Sequence, residues 1–579
     1  MIADPIARPT APLLTMSAAQ AAVKVMESEG VELAFGIPGA SILPLYDALR
    51  RSKIRHIVAR HEEGATHAAD GYARATGKVG VAIATSGPGG TNFVTGLYTA
   101  MADSIPIITI TGQVPVAQLH REGFQAVDIC EIVKPVVKKS FLCKEAAQIP
   151  WVFREAFRIA REGRPGPVHI DLPQDVQQML ISYDPSIDEP LPNFAMPPSA
   201  AKVRRAVEWL ANAERPVLMP GGGVIIAEAW EPLLALAEHL QLAVSPTLMG
   251  KGAIDEDHPL YMGMVGIQTS QRFANALFRE SDVVCAVGAR FAGRHTGDLQ
   301  TYRGNRRFIH VDVEATQIGR IFEPDLGIVA DAKLTLEAML AEARRLYPTG
   351  VQRADWIARI ADARQALVRR TDFDQVPVKG PRVFGEINAY YGDDTTFVTA
   401  IGLYQIWSGQ FQITHKARRY FCCGQAGPLG WEVSACTGIK LAQPEREVVA
   451  IVGDYSFEFL MEEVAVAVQY RIPFVIVMLN NAHLGLIRQS ERGGFKFDED
   501  YEVSISYGED GYGMNHVKAM EAMGAAGVRV TRPEEIREAL AWASRTSNEK
   551  SVPVLVEILT EPKENAAMGT SIASVNEVY

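Results

Sequence analysis

The sequence predicts an α/β protein of three parallel-sheet domains, and three observations carry that reading. Apolar runs at 79–84, 217–219, 283–287 and 448–452 have the length of buried strands, and each leads into a glycine-containing turn. Helical stretches alternate with such runs, the pattern of strand, helix, strand units whose strands lie parallel. Proline and polar residues interrupt the alternation twice. One interruption is Ile187-Asp188-Glu189-Pro190-Leu191-Pro192-Asn193 through Met196-Pro197-Pro198, and the other runs over 371–381 with Pro377-Val378-Lys379-Gly380-Pro381. The predicted domains are therefore residues 1–186, 200–370 and 382–560, followed by a tail at 561–579; a chain of 579 residues accommodates about three domains of ordinary size.

Composition narrows the function. With 47% apolar and 22% charged residues the chain can bury large cores, and a net charge of −11 gives no encouragement to nucleic-acid binding. No apolar run is long enough to cross a bilayer. Residues 1–15, with three prolines and one arginine, lack the apolar centre of a secretory signal, so a cytoplasmic enzyme is expected. The six cysteines (130, 143, 285, 422, 423 and 436) follow no metal-ligand spacing and read as reduced core residues. His61, His67 and His295 likewise show no ligand pattern.

In the amino-terminal segment a strand at 54–59 precedes Glu62, where a helix begins that carries Ala65, Ala68, Ala69, Tyr72 and Ala73 to Gly77. Glu62 is either a solvated first-turn acid favoured by the helix dipole or a buried carboxyl in need of a partner. An aminopyrimidine ring provides one: the acid hydrogen-bonds a ring nitrogen and favours the imino form that removes a thiazolium proton. Glu63 fills the solvated role.

The middle segment places glycine-rich turns after strands. Val217-Leu218-Met219-Pro220 leads into Gly221-Gly222-Gly223, and the strand at 283–287 leads into Gly288-Ala289-Arg290. Asp312-Val313 and Asp331-Ala332 end two further strands, suiting a ribose or adenine contact beside a diphosphate. Each turn alone is also ordinary chain closure.

In the carboxy-terminal segment the run 448–452 delivers Gly453-Asp454 into a turn. A helical stretch and a second apolar strand, 473–479, lead to Asn480-Asn481, so Asn481 lies 27 residues after Asp454. Adjacent parallel strands present such residues side by side at their carboxyl ends. Magnesium suits two oxygen ligands placed this way, with the backbone carbonyl of His483 as a third and phosphate oxygens completing the shell. Gly453 permits close backbone approach, and amides of the helix after Ser456 suit a diphosphate. In isolation, an Asp after a strand is ordinary turn chemistry.

Taken together these segments resemble the thiamin-diphosphate-dependent decarboxylases and carboligases over nearly the whole chain, and within that superfamily the glyoxylate carboligases, or tartronate-semialdehyde synthases. The resemblance rests on Phe35-Gly36-Ile37-Pro38-Gly39-Ala40, Thr85-Ser86-Gly87-Pro88-Gly89-Gly90-Thr91-Asn92, Ala102-Asp103-Ser104-Ile105-Pro106 and Phe124-Gln125-Ala126-Val127-Asp128-Ile129. It continues through Gly424-Gln425-Ala426-Gly427-Pro428-Leu429-Gly430-Trp431 and Asn480-Asn481-Ala482-His483-Leu484-Gly485-Leu486-Ile487-Arg488-Gln489-Ser490.

That resemblance implies a first domain that binds the pyrimidine, a second that binds FAD in a largely structural role, and a third that binds the diphosphate with Mg2+. It implies thiamin-diphosphate contacts at Ile37, Pro38, Gly39, Thr85, Asn92, Gly402, Leu403, Gln425, Leu429, Gly453, Asp454, Tyr455, Ser456, Asn481, His483, Leu484 and Gly485. Gly221, Gly222, Gly223, Thr247, Leu248, Met249, Gly288, Ala289, Arg290, Arg294, Asp312, Val313, Gln317, Ile318, Asp331 and Ala332 are the implied contacts for FAD. Glu62 and Gln125 are the expected catalytic residues, and Asp454, Asn481 and His483 the metal ligands. Arg488 is either a carboxylate-binding group or an ion-pair partner, and Ser490 stands where acetohydroxyacid synthases usually carry tryptophan. The implied small-molecule substrate is a 2-oxoacid, two glyoxylates giving tartronate semialdehyde and CO2.

One departure matters: glyoxylate carboligases typically have valine where Glu62 stands, whereas acetohydroxyacid synthases have glutamate. Acetolactate synthesis from pyruvate is therefore the alternative, and a non-catalytic FAD-binding relative a third reading, opposed by the joint presence of Glu62, Asp454 and Asn481. In the resembling superfamily one chain supplies the pyrimidine side and its partner the diphosphate side, which implies a homodimer or a dimer of dimers.

Overall fold

The computed structural model describes residues 12–187, 189–507 and 510–578. Residues 1–11 at the start of the first predicted domain, Asp188 in the first predicted linker and Tyr579 at the end of the predicted tail lie outside the described residues. The chain forms two compact units, Met1–Phe194 with Thr437–Ala442, and Ala195–Cys436 with Gln443–Tyr579.

The first unit is built on a six-stranded sheet. Its strands are β1 (Leu33–Gly36), β2 (Arg55–Val58), β3 (Gly80–Ala84), β4 (Ile107–Gln113), β5 (Lys139–Leu142) and β6 (Val168–Pro173), in the order β2-β1-β3-β4-β6-β5. All its pairings are parallel. Every residue of β3, β4 and β6 is buried, as sheets covered on both faces require; β3 is apolar throughout, while β4 and β6 also bury Thr109, Thr111, Gln113, His169 and Asp171. Val81, Ile83, Ile108, Ile110, Val168 and Ile170 pack with Val25 and Met26 of helix Ala18–Ser28 and with Phe153 and Phe157 of helix Ile149–Arg161. Ser17 and Gln20 form a capping box at the first of these helices.

The second unit holds two larger, parallel sheets. The first contains β7 (Val217–Pro220), β8 (Ala243–Val244), β9 (Val283–Val287), β10 (Arg307–Asp312) and β11 (Leu326–Val329), ordered β8-β7-β9-β10-β11 and wholly parallel. The other contains β12 (Thr396–Thr399), β13 (Tyr420–Cys422), β14 (Val448–Gly453), β15 (Val475–Asn480), β16 (Ala526–Val530) and β17 (Val554–Leu559). Its order is β13-β12-β14-β15-β17-β16, again all parallel. The three parallel sheets expected from the sequence are thus present.

In each of the three parallel sheets the second strand pairs on one side of the first and the third on the other. The chain therefore changes direction of winding between first and third strands, β1 and β3, β7 and β9, β12 and β14. Helices leave to opposite faces there and a crevice opens beyond the strand ends, where such sheets bind ligands. No disulfide forms among the described residues, and Cys143, Cys285, Cys422, Cys423 and Cys436 are buried. No described helix is long and apolar enough to cross a membrane.

Candidate active site

The crevice of the first sheet gathers Gly39, Thr85, Gly87, Gly89, Asn92, Glu62 and Gln125. Helix Glu62–Thr76 begins at the expected acid, with His61 capping by accepting from the Glu63 amide, and ends at Gly77 in the left-handed region. Glu62 is half-buried, and the Asn92 side-chain amide donates to its Oε2 at 2.9 Å. Asn92, expected to meet the cofactor, is thus a direct partner of the catalytic candidate. A β-carbon on Gly89 would stand 3.0 Å from Thr85 Cγ2 and 3.5 Å from Glu62 Oε1, and one on Gly39 would collide with Thr85 at 2.4 Å. These glycines let the three segments close together.

Gln125 sits at φ +60°, an uncommon conformation for a non-glycine residue, and packs on Gly87, whose own φ is +62°. A β-carbon at Gly87 would lie 2.9 Å from that of Gln125, so the Gln125 loop and the Gly87–Asn92 turn fit only with glycine there. Ile37 donates its amide to the Ile83 carbonyl, leading the Ile37-Pro38-Gly39 turn over the end of β3. Ser41, which the sequence reading missed, bonds Thr85 Oγ1 at 2.9 Å and accepts from the Ser86 amide at 3.1 Å.

At the crevice between β12 and β14, Asp454 opens helix Asp454–Phe459 and is 3% exposed. Its Oδ2 is buried without a hydrogen-bond partner, and burial pushes its pKa up to about 7, with the His516 charge opposing. A buried carboxylate oxygen in that state suits a cation. Asn481, just beyond β15, accepts from the His483 amide through Oδ1 at 3.2 Å, and its Nδ2 borders Gly485, whose absent β-carbon would also meet Leu403. Leu484 donates its amide to Val503, and half-buried Leu429 stands beside Gly430, which donates its amide to Ser456 Oγ at 3.0 Å. Gln425 is exposed on the loop after β13.

The space a β-carbon would take at Gly453 is held by the Tyr404 ring at 2.8 Å, and the same ring lies 2.4 Å from the corresponding position at Gly402. The ring thus abuts both glycine turns. Its hydroxyl donates to Glu432 Oε1 at 2.5 Å, and Ser456 Oγ donates to the same carboxyl at 3.1 Å. Glu432 was missed in the sequence reading; its one signal there was an acid at the start of the otherwise apolar Trp431-Glu432-Val433 helix turn. A second buried network was also missed: Asn480 and His516 both bond Glu557 at 2.8 Å, Arg529 pairs with its other oxygen at 2.8 Å, and His516 reaches Glu458 at 3.1 Å.

In the middle sheet the turns after β7 and β9 pack on each other. A β-carbon at Gly221 would strike the Gly288 carbonyl at 2.2 Å, and one at Gly223 the Gly288 Cα at 2.7 Å. Gly222 faces Met249 at 3.2 Å, and Thr247 donates to the Pro220 carbonyl. The turns lie where a dinucleotide binds in such sheets, which is the feature that fits FAD; the glycines also serve this backbone contact. Asp331 caps helix Ala332–Leu346 by accepting from Leu334, and Asp312 accepts from the Glu314 amide. Gln317 is buried, while Val313, Ile318 and Leu248 are half-buried. Arg294 donates to Gln268 at 2.6 Å and Gln405 at 3.0 Å, and burial lowers its pKa.

Arg488 is 8% exposed and donates to Asp500, the Lys563 carbonyl and Asn565, bonds that favour its ion-pair reading. Ser490 Oγ donates to the Leu486 carbonyl at 3.0 Å. Among the described residues Asp255, Asp257 and His415 also bring ligand atoms within 4.8 Å of one another; both acids are exposed, and the His415–Asp255 contact of 2.9 Å accounts for the group as a surface ion pair.

Comparison with known proteins bears on all three sheets. The model described as "Thiamine pyrophosphate enzyme, N-terminal TPP binding domain" matches residues 16–132. The corresponding "central domain" matches 203–339, and the "C-terminal TPP binding domain" matches 400–558. The chain is 48% identical over 572 residues to a glyoxylate carboligase of Escherichia coli O157:H7, covering 97% of this chain and 96% of that one. It is 39% identical to a probable acetolactate synthase large subunit of Methanocaldococcus jannaschii, covering 96% and 93%, and 36% identical to one of Methanococcus aeolicus, covering 96% and 93%.

Proposed function

Since the chain belongs to the thiamine pyrophosphate enzymes, we propose that it joins two molecules of glyoxylate into tartronate semialdehyde with release of CO2. The observation that carries the chemistry is the Glu62–Asn92 pair at the first crevice. Greater identity to the E. coli glyoxylate carboligase than to the acetolactate synthases favours the substrate, as does Ser490, which builds no bulky wall. Thiamin diphosphate, when bound, supplies a nucleophilic carbon and an electron sink for decarboxylation.

The residues of the chain do the rest. Glu62 holds a proton at the pyrimidine ring nitrogen, and Asn92 fixes the orientation of its carboxyl group. Gln125, held at its strained φ against Gly87, contacts the substrate-derived group. Asp454, the Asn481 side chain and the His483 carbonyl hold Mg2+, whose fit rests on the orphaned Asp454 Oδ2. Gly402, Leu403, Gly453, Tyr455 and Ser456 line the diphosphate crevice, with Leu429, Leu484 and Gly485 beside it. The turns after β7 and β9 hold FAD as a structural group, and the enzyme works in the cytoplasm as a homodimer or dimer of dimers.

The deciding experiment supplies purified protein with glyoxylate or pyruvate and identifies product and CO2. Tartronate semialdehyde as the preferred product supports the proposal; acetolactate as the preferred product establishes the second reading, which Glu62 favours because the resembling carboligases carry valine there. The protein purifies yellow under this reading, and stoichiometric flavin reduction at each turnover would contradict the structural role of FAD.

A further inference from the structure

Glu432 takes no part in carboligation itself, yet it lies at the start of helix Trp431–Ala442, is 0% exposed and is ringed by donors. The Tyr404 hydroxyl reaches it at 2.5 Å, the Ser456 hydroxyl at 3.1 Å from both oxygens, and the Ala400 amide also donates to it. Those donors come from separate segments. Ala400 directly follows β12, Tyr404 lies in helix Leu403–Phe411, and Ser456 follows β14. The Gly430 amide is drawn in through Ser456 Oγ, and the Tyr404 ring occupies the β-carbon positions of both Gly402 and Gly453. A fully buried acid is costly unless its oxygens are satisfied, and here the satisfying groups are the walls of the crevice between β12 and β14.

We propose that Glu432 is a positioning residue that ties the Gly402 turn to the Gly453–Ser456 turn, holding both ready for the diphosphate before the cofactor arrives. The inference rests on the reading that these turns bind the diphosphate. Crevice walls fixed in advance do not have to be ordered on binding, so affinity rises without a new contact to the ligand. Replacing the carboxylate by an amide sets an NH2 group against hydroxyl and amide donors. The tie then loosens while the volume stays filled.

The test uses Glu432→Gln and Tyr404→Phe in the full-length enzyme, the latter keeping the ring against both glycines. Thiamin diphosphate affinity with Mg2+ is measured by calorimetry, alongside the activation constant for cofactor, kcat at saturating cofactor and the melting temperature of the cofactor-free protein. Each variant weakens affinity about tenfold, or about 1.4 kcal/mol, with kcat within about twofold of wild type. The double variant weakens it no more than the stronger single one, because both cut the same tie. A purely structural role would lower melting temperature and kcat together without singling out the cofactor constant, and that pattern overturns the proposal. Unchanged affinity in Glu432→Gln beside a loss in Asp454→Ala overturns it alone; unchanged affinity in both removes the site reading and the proposal with it. Should Glu432→Gln not fold, Tyr404→Phe decides between the same outcomes.

Discussion

The sheets β1–β6 and β12–β17 share one strand order, and each sets its candidate residues where its first and third strands part, yet the acids there stand in contrasting states. Glu62 follows the second strand of its sheet, is half-buried and has a neutral side-chain amide on Oε2. Asp454 follows the third strand of its sheet, is almost wholly buried and keeps an orphaned oxygen. The scaffold fixes the place, and the few residues around each acid fix the role. On the function proposed above, the half-buried acid with an amide on one oxygen shares a proton. On the same reading, a buried acid with one oxygen left orphaned meets a cation.

On that contrast, the largest effect comes from removing the acid proposed to share a proton. Glu62→Val is expected to slow hydrogen–deuterium exchange at the thiazolium carbon of bound cofactor by about 100-fold or more, within the usual range for a general acid or base. Cofactor affinity and fold stay close to wild type. Equal exchange rates in the two proteins would take Glu62 out of its role, whatever happened to overall turnover.

Asp454→Ala tests the other acid and should give the complementary result. Mg2+-dependent retention of thiamin diphosphate falls about 100-fold or more, the order of a charged contact of roughly 3 kcal/mol. Unchanged affinity by calorimetry would break the comparison at this end. Because the variant also deletes a buried carboxylate with one orphaned oxygen, the metal-free protein gains stability or stays level, a sign that a merely structural aspartate would reverse.

Much of both sites was legible in the sequence because strands and turns leave local marks. The run 448–452 and the Gly453-Asp454 turn give strand and candidate ligand in adjacent residues, and the helix from Glu62 to Gly77 shows both start and stop. What was not legible depends on contacts between segments far apart in the chain. Tyr404, Glu432 and Ser456 meet only once β12 and β14 are neighbours, and no spacing rule links 404 to 432. Asn92 was assigned to the cofactor through the resemblance of the Thr85–Asn92 motif; its amide on Glu62 emerges from the fold. Gly453 carried a similar lesson. Its missing side chain makes room for the Tyr404 ring, a reason that is independent of any phosphate.

A smaller effect sharpens the role of Glu62. Asn92→Ala leaves the carboxyl in place but frees its Oε2, so exchange at the thiazolium carbon should slow by about five- to tenfold, the worth of one ordinary hydrogen bond. The double variant Glu62→Val with Asn92→Ala should be no slower than Glu62→Val alone. Additive effects would show that Asn92 acts on the cofactor directly and not through Glu62.

The smallest expected effect is a pair of opposite pH slopes, one from each six-stranded sheet. His169 of β6 is fully buried between the hydroxyls of Thr109 and Thr111 on β4, with Asp171 bonded to Thr111, and burial pushes its pKa down to about 3. The folded first unit therefore holds a neutral ring, whose contribution is full above the unfolded value near 6.5 and fades as pH falls from there toward 3. For His516 burial acts downward too, but hydrogen bonds to Glu458 and Glu557 and the nearby Asp454 charge override it and raise the pKa to about 9. Arg529 shares the Glu557 carboxylate, so the cluster remains compensated while the imidazole is charged. That contribution is complete below about 6.5 and is lost as pH rises through 9. Melting curves of wild type against His169→Gln should then show a gap that narrows by a few degrees from pH 7 to pH 4. Against His516→Gln the gap narrows from pH 6.5 to pH 9.5. Parallel slopes for the two variants would mean that the sheets do not hold their histidines in opposite charge states, and the electrostatic half of the comparison would fall while the geometry of Glu62 and Asp454 stood.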